Sequence, residues 1–136
     1  MFIQAAVEDL PCELDGVAHE VHVHFPWGSL LRAVAVGEEA ELASIRRICA
    51  PEALLEVVIA LDPDRDGSEI SRLGLNPLTG EYLASVLSVR YRAAGFEVRE
   101  AGVLPYSEWP RVNSSWATRL RGRTGRSITY LISRTT

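Results

Sequence analysis

The sequence predicts an α/β layer built on a mostly parallel sheet. Apolar runs with strand periodicity alternate with helix-periodic segments along the chain, the pattern that pairs helices with a sheet. One run, LLEVVIAL at 54–61, is almost continuously apolar and rich in β-branched residues, as in a strand covered on both faces. The 136 residues, 47% of them hydrophobic, are enough to build one core and predict a single domain over 1–136.

The elements follow in order. FIQAAV, 2–7, is a short apolar run stopped at Leu10-Pro11 and reads as a strand. VHVHF, 21–25, alternates and reads as a second, stopped by Pro26 and Gly28. GSLLRAVA places Leu30, Leu31 and Val34 for a short amphipathic helix. EEAELASIRRICA, from Glu38, is a stronger one: Leu42, Ile45 and Cys49 share a face, acids fill the first turn and Pro51 ends it. After the 54–61 strand, 62–78 reads as a long polar loop. Thr79 to Ala94 is a helix burying Tyr82, Leu83, Val86, Leu87 and Tyr91, with Gly95 as its C-terminal cap. FEVREAGVL and SITYLISR are the last strands, joined through an irregular segment at 105–118, which predicts an antiparallel edge.

Charge is distributed unevenly. Residues 1–108 hold all eighteen acids and eight arginines, a balance of −10, whereas 109–136 hold six arginines and no acid. Lysine is absent. Arginine presents a flat fork for phosphate and a plane for stacking, so the basic end fits an anionic partner; a solvated arginine-biased tail fits the charge equally well. Cys12 and Cys49 match no metal spacing and read as two free thiols of a reducing, cytoplasmic compartment. No run approaches the roughly 20 apolar residues of a membrane span, and MFIQAAVEDL lacks the basic start of a signal peptide.

Four constellations bear on chemistry. His22 and His24 are two apart on a strand and so share a face. With His19 they lack a third ligand at a familiar metal spacing, and half-exposed strand histidines, with no metal, is the preferred reading. Asp62, Asp64, Asp66 and Gly67 imitate half of a calcium loop, but Leu73 stands where the bidentate glutamate belongs. A solvated acidic loop is preferred there. Trp27 sits between Pro26 and Gly28 at a strand's C-terminal end, where α/β sheets bind ligands; it is either a ring poised to stack on something planar or a core side chain capping the sheet. Trp116 lies among Arg119, Arg121, Arg123 and Arg126 with no nearby acid. Aromatic and arginine side chains together grip unpaired bases and phosphates, although a packed Trp before a basic turn is also open.

Taken together and in order, AAVEDLP (Ala5–Pro11), PWGSLLR (Pro26–Arg32), Ala50-Pro51-Glu52-Ala53, Arg90–Phe96 and SWATRL (Ser115–Leu120) closely resemble the 16S ribosomal RNA (adenine-N1) methyltransferases of the aminoglycoside-resistance type. The resemblance covers nearly the whole chain, and the PWGSLLR and SWxxRL pair is its specific part. It implies the S-adenosylmethionine-dependent methyltransferase (Rossmann-like) fold, with S-adenosyl-L-methionine at the strand tips and 16S rRNA in the 30S subunit as partner. It further implies that Val7 and Glu8 meet the cofactor's adenine side, and that His24 and Ser29 line its pocket. Trp27 and Trp116 would sandwich the flipped target adenine, and Arg119, with Arg121, Arg123 and Arg126 more loosely matched, would hold RNA. Extracting an adenine costs a few kcal/mol, which stacking on both faces offsets, and the lone pair on N1 needs no strong base, so catalysis would be positioning.

The family's glycine-rich loop and ribose-binding acid find no counterpart from residue 1 on, so the expected fold lacks its first two strands. The 2–7 strand would then leave an unpaired apolar edge, a place for a second copy to pair. Val7 and Thr118 depart from the usual alanine and basic residue. The alternative to an enzyme is a non-catalytic RNA-binding fragment or remnant of one.

Overall fold

The structure, a computed structural model, describes residues 10–62, 65–105 and 127–136. The strand expected at 2–7 and the irregular segment at 106–118 lie outside these residues, as do Val7, Glu8, Trp116, Arg119, Arg121, Arg123 and Arg126.

After a single 3-10 turn at Cys12–Leu14, the described elements are β1 (Ala18–His24), α1 (Gly28–Val36), α2 (Glu39–Ile48), β2 (Cys49–Leu61), α3 (Gly67–Leu73), α4 (Gly80–Tyr82), a π-helical turn (Leu83–Leu87), α5 (Ser88–Ala93), β3 (Phe96–Pro105) and β4 (Ser127–Thr135). The sheet order is β1-β2-β4-β3. β1 and β2 run parallel, linked through α1 and α2, whereas β4 is antiparallel to both β2 and β3. The described sheet is therefore mostly antiparallel, not mostly parallel as the sequence predicts. The reason is that the last strand inserts between β2 and β3 instead of adding at an edge.

β2 is longer than its apolar run. Glu52, at a φ of 59°, kinks its start, and the pairing jumps from Ala18 opposite Cys49 to Glu20 opposite Leu54. Thr135 closes the kink: its hydroxyl accepts from the Ala53 N–H at 2.8 Å and donates to the Ala50 carbonyl at 3.0 Å. Beyond it, Val57, Val58 and Ile59 are all essentially inaccessible, so this strand is covered on both faces as expected. The polar stretch 62–78 is not all loop, since it contains α3.

Leu55, Val57 and Ile59 form one buried cluster with Val23, Leu131, Leu31, Val34, Leu42, Ile45, Leu87 and Tyr91. The helical spacings of α1 and α2 thus face the core as predicted. Gly37 ends α1 at a φ of 77°, and a side chain there would meet Arg90 Cβ at 2.9 Å. Only glycine accepts both the left-handed turn and that approach. Gly95, the expected cap, likewise has a φ of 96° just past α5.

Candidate functional site

β1 and β2 are parallel, so their C-terminal ends open on the same side, where ligand crevices form in α/β sheets. The chain leaves β1 through Phe25 at a φ of 55°. A left-handed conformation costs a non-glycine residue roughly 1–2 kcal/mol, and the Phe25 N–H helps hold it by donating to the Val58 carbonyl at 2.7 Å. Pro26 turns inward and is buried, whereas Trp27 is turned out, 53% exposed. Of the two readings open for Trp27, the structure excludes the core one.

Trp27 is also the N-terminal flanking residue of α1, with no side-chain cap on that helix end. Ser29 lies exposed in the first turn. The strand tip therefore presents a large planar ring and a hydroxyl beside helix-terminal N–H groups, which favour negative or electron-rich ligand atoms.

His24 is the last residue of β1 and is half-buried. Parallel pairing sets His22 opposite Glu56 and His24 opposite Val58, so both histidines share a face with Glu56. The His22 Nδ1 is 3.2 Å from Glu56 Oε2 and the His24 Nε2 is 3.7 Å from Glu56 Oε1. The second distance exceeds a hydrogen bond, and His24 Nε2 is a buried atom without a hydrogen-bond partner. Desolvation holds the His24 imidazole below the ordinary histidine range; Glu56 opposes that shift and His22 adds to it. His24 is thereby kept neutral near pH 7.

Of the residues expected at the site, His24, Trp27 and Ser29 occupy one strand-to-helix turn. The remaining expected residues lie outside the described ones. Glu56 is the functional candidate that reading along the chain misses. Its signal is that it interrupts the apolar run LLEVVIAL with a charge on an otherwise buried strand, half-buried beside two imidazoles.

A family model described as NpmA, 16S rRNA (adenine(1408)-N(1))-methyltransferase, matches residues 1–135. The chain belongs to this family. Among curated relatives, the 16S rRNA (adenine(1408)-N(1))-methyltransferase of Escherichia coli is 32% identical over 124 residues, which is 88% of this chain and 55% of that protein. The enzyme of the same description from Streptoalloteichus hindustanus is 32% identical over 88% of this chain and 54% of its own. The chain thus spans about half the length of the curated relatives it matches. Among solved structures, the aminoglycoside resistance methyltransferase NpmB1 is 40% identical with a TM-score of 0.77, over 98% of this chain and 59% of that one. The 16S rRNA (adenine(1408)-N(1))-methyltransferase from Catenulisporales acidiphilia is 35% identical with a TM-score of 0.80, over 97% and 61%. A variant of the Catenulisporales protein, with its cosubstrate SAM, is 33% identical with a TM-score of 0.80, over 97% of this chain and 59% of its own. The fold is therefore that of the S-adenosylmethionine-dependent methyltransferases, over part of their length.

Proposed function

We propose that this chain takes part in S-adenosylmethionine-dependent methylation of adenine N1 in small-subunit ribosomal RNA, as its relatives' names describe. The observation that carries the reading is Trp27, an exposed indole set out on a strained turn at the tip of β1, within the PWGSLLR stretch on which the resemblance to the family rests. Its backbone is fixed between a buried proline and a helix start, which sets where the indole stands before a base arrives.

In this reading Trp27 stacks on one face of the flipped adenine and Trp116 on the other, worth roughly 1–3 kcal/mol per ring. Together they offset the few kcal/mol of extracting the base. Ser29 and His24 line the cofactor pocket, with Val7 and Glu8 on its adenine side. S-adenosylmethionine, when bound, supplies an electrophilic methyl group on a positively charged sulfur. The residues present suit such a group: His24 is held neutral, and the nearby carboxylate of Glu56 is compatible with a cation. The adenine N1 lone pair needs no base, so these side chains act by position and stacking. Arg119, Arg121, Arg123 and Arg126 hold the RNA backbone of a 30S subunit, which places the work in the cytoplasm.

A second reading, a non-catalytic RNA-binding module, is favoured by the acid-free arginine stretch from 109 to 136. The unpaired edge expected of the 2–7 strand lies outside the described residues; pairing of a second copy there is testable by light scattering. Transfer of labelled methyl groups from S-adenosylmethionine to 30S subunits, with reverse transcription to locate the blocked adenine, decides between the two main readings. Methylation that Trp27→Ala reduces at least a hundredfold supports the enzyme. Absence of transfer, with salt-sensitive rRNA binding retained, moves the conclusion to the binding module.

A further inference from the structure

β1 and β2 assemble a donor set that no single stretch of the chain contains. Side-chain alternation puts His22 and His24 on one face of β1, and the parallel register sets Glu56 of β2 directly beside His22. Their ligand atoms all lie within 4.8 Å of one another. A zinc ion with bonds of about 2.0–2.1 Å needs its ligand atoms roughly 3.3 Å apart. The His22 Nδ1 meets that spacing with one carboxylate oxygen, Glu56 Oε2, at 3.2 Å, and the His24 Nε2 lies 3.7 Å from the other, Oε1, so a chelating carboxylate would draw the two imidazoles closer.

We propose that His22, His24 and Glu56 form a binding site for one divalent transition-metal ion of the zinc class.

The two imidazoles and one carboxylate are the donors such an ion selects, whereas magnesium and calcium prefer oxygen alone. His24 Nε2 is buried and makes no hydrogen bond, a state that costs free energy unless a partner arrives. His22 uses Nδ1 toward Glu56, and its Nε2 faces Glu20 Oε2 at 3.9 Å. Three protein ligands leave a coordination position for water or another donor, as in open zinc sites. His22 is 42% exposed in its side chain, so an ion reaches the site from solvent.

The site shares His24 and Glu56 with the proposed cofactor pocket, but its test needs neither cofactor nor RNA, so its failure and that of the methyltransferase reading are distinguishable. The full chain, carrying Cys12→Ser to remove the exposed thiol, is stripped with chelator and titrated calorimetrically with zinc at neutral pH. Cobalt is then added to a second sample and its visible absorption recorded. One ion per chain with a Kd in the micromolar range or tighter is expected, with cobalt bands of a tetrahedral or five-coordinate centre. His22→Ala and Glu56→Gln should each weaken binding at least tenfold and abolish the cobalt bands. Because His22 lies at the surface and glutamine preserves the shape of Glu56, circular dichroism should show both variants folded. No zinc binding at millimolar metal, or binding that neither substitution weakens, overturns the site.

Discussion

Phe25 adopts a left-handed backbone conformation that its side chain disfavours, and the benefit falls two residues later, where Trp27 stands in solvent. Such strain persists only where the surroundings over-determine it. Here the Val58 carbonyl and the buried Pro26 do so. Because Trp27 is exposed, Trp27→Ala should leave the unfolding free energy within about 0.5 kcal/mol of the parent, so that any methyl transfer it lowers is lost to stacking and not to unfolding; a large loss of stability would mean that the indole packs. The cysteines separate by the same logic of exposure. Cys12 is exposed, whereas Cys49 is buried and its thiol donates to the Ile45 carbonyl at 3.3 Å. Desolvation pushes the Cys49 thiol above the ordinary cysteine range, against the pull of Arg46. A thiol reagent at pH 8 should therefore label Cys12 quickly in the native chain and Cys49 only after denaturation, as mass spectrometry of the labelled chain would show. Equal rates at both would refute the assignment.

The end of α1 shows how elements satisfy one another. Its last four carbonyls have no partners within the helix, yet all are met. The Gly37 and Glu38 N–H groups donate to Ala33, the Tyr91 hydroxyl to Val34 at 2.8 Å, the Tyr82 hydroxyl to Ala35 at 3.0 Å and the Arg90 guanidinium to Val36 at 2.5 Å. Tyr82 and Tyr91 are nine positions apart. At roughly 100° per residue, nine steps along a regular α-helix would point them to opposite sides. The π-helical turn Leu83–Leu87 takes more residues per turn and brings the two hydroxyls round toward the same helix end. Tyr91 is fully buried, so Tyr91→Phe leaves the Val34 carbonyl without its donor and should cost about 1–3 kcal/mol in urea unfolding. Tyr82→Phe, only half-buried, should cost less. The reverse order of effects would place the capping role elsewhere.

Across the molecule, β4 joins what the chain keeps far apart. It pairs with β2 on one side and β3 on the other, and Thr135 bonds Ala53 across 82 residues. Leu131, fully buried in this strand, should therefore be costly to truncate: Leu131→Ala is expected to lose roughly 2–5 kcal/mol. Val103→Thr, on the partly exposed neighbouring strand, should change stability by about 0.5 kcal/mol or less. Similar losses at both positions would mean that β4 is not the strand that ties the sheet. The helices α1 and α2, their buried faces and the cap at Gly95 follow from residues a few positions apart and were legible in the sequence; α3, hidden in a polar stretch, and the outward turn of Trp27 were not. Family membership too was legible, because PWGSLLR is a contiguous stretch. Strand order was not, since the apolar alternation of 127–134 states that a strand exists and not which neighbours it joins. Nor was the placing of Glu56 beside His22 and His24, which depends on the register of two strands joined by two helices. Only tertiary structure decided these, because backbone pairing between distant strands is a property of the whole sheet and leaves no local period in the chain.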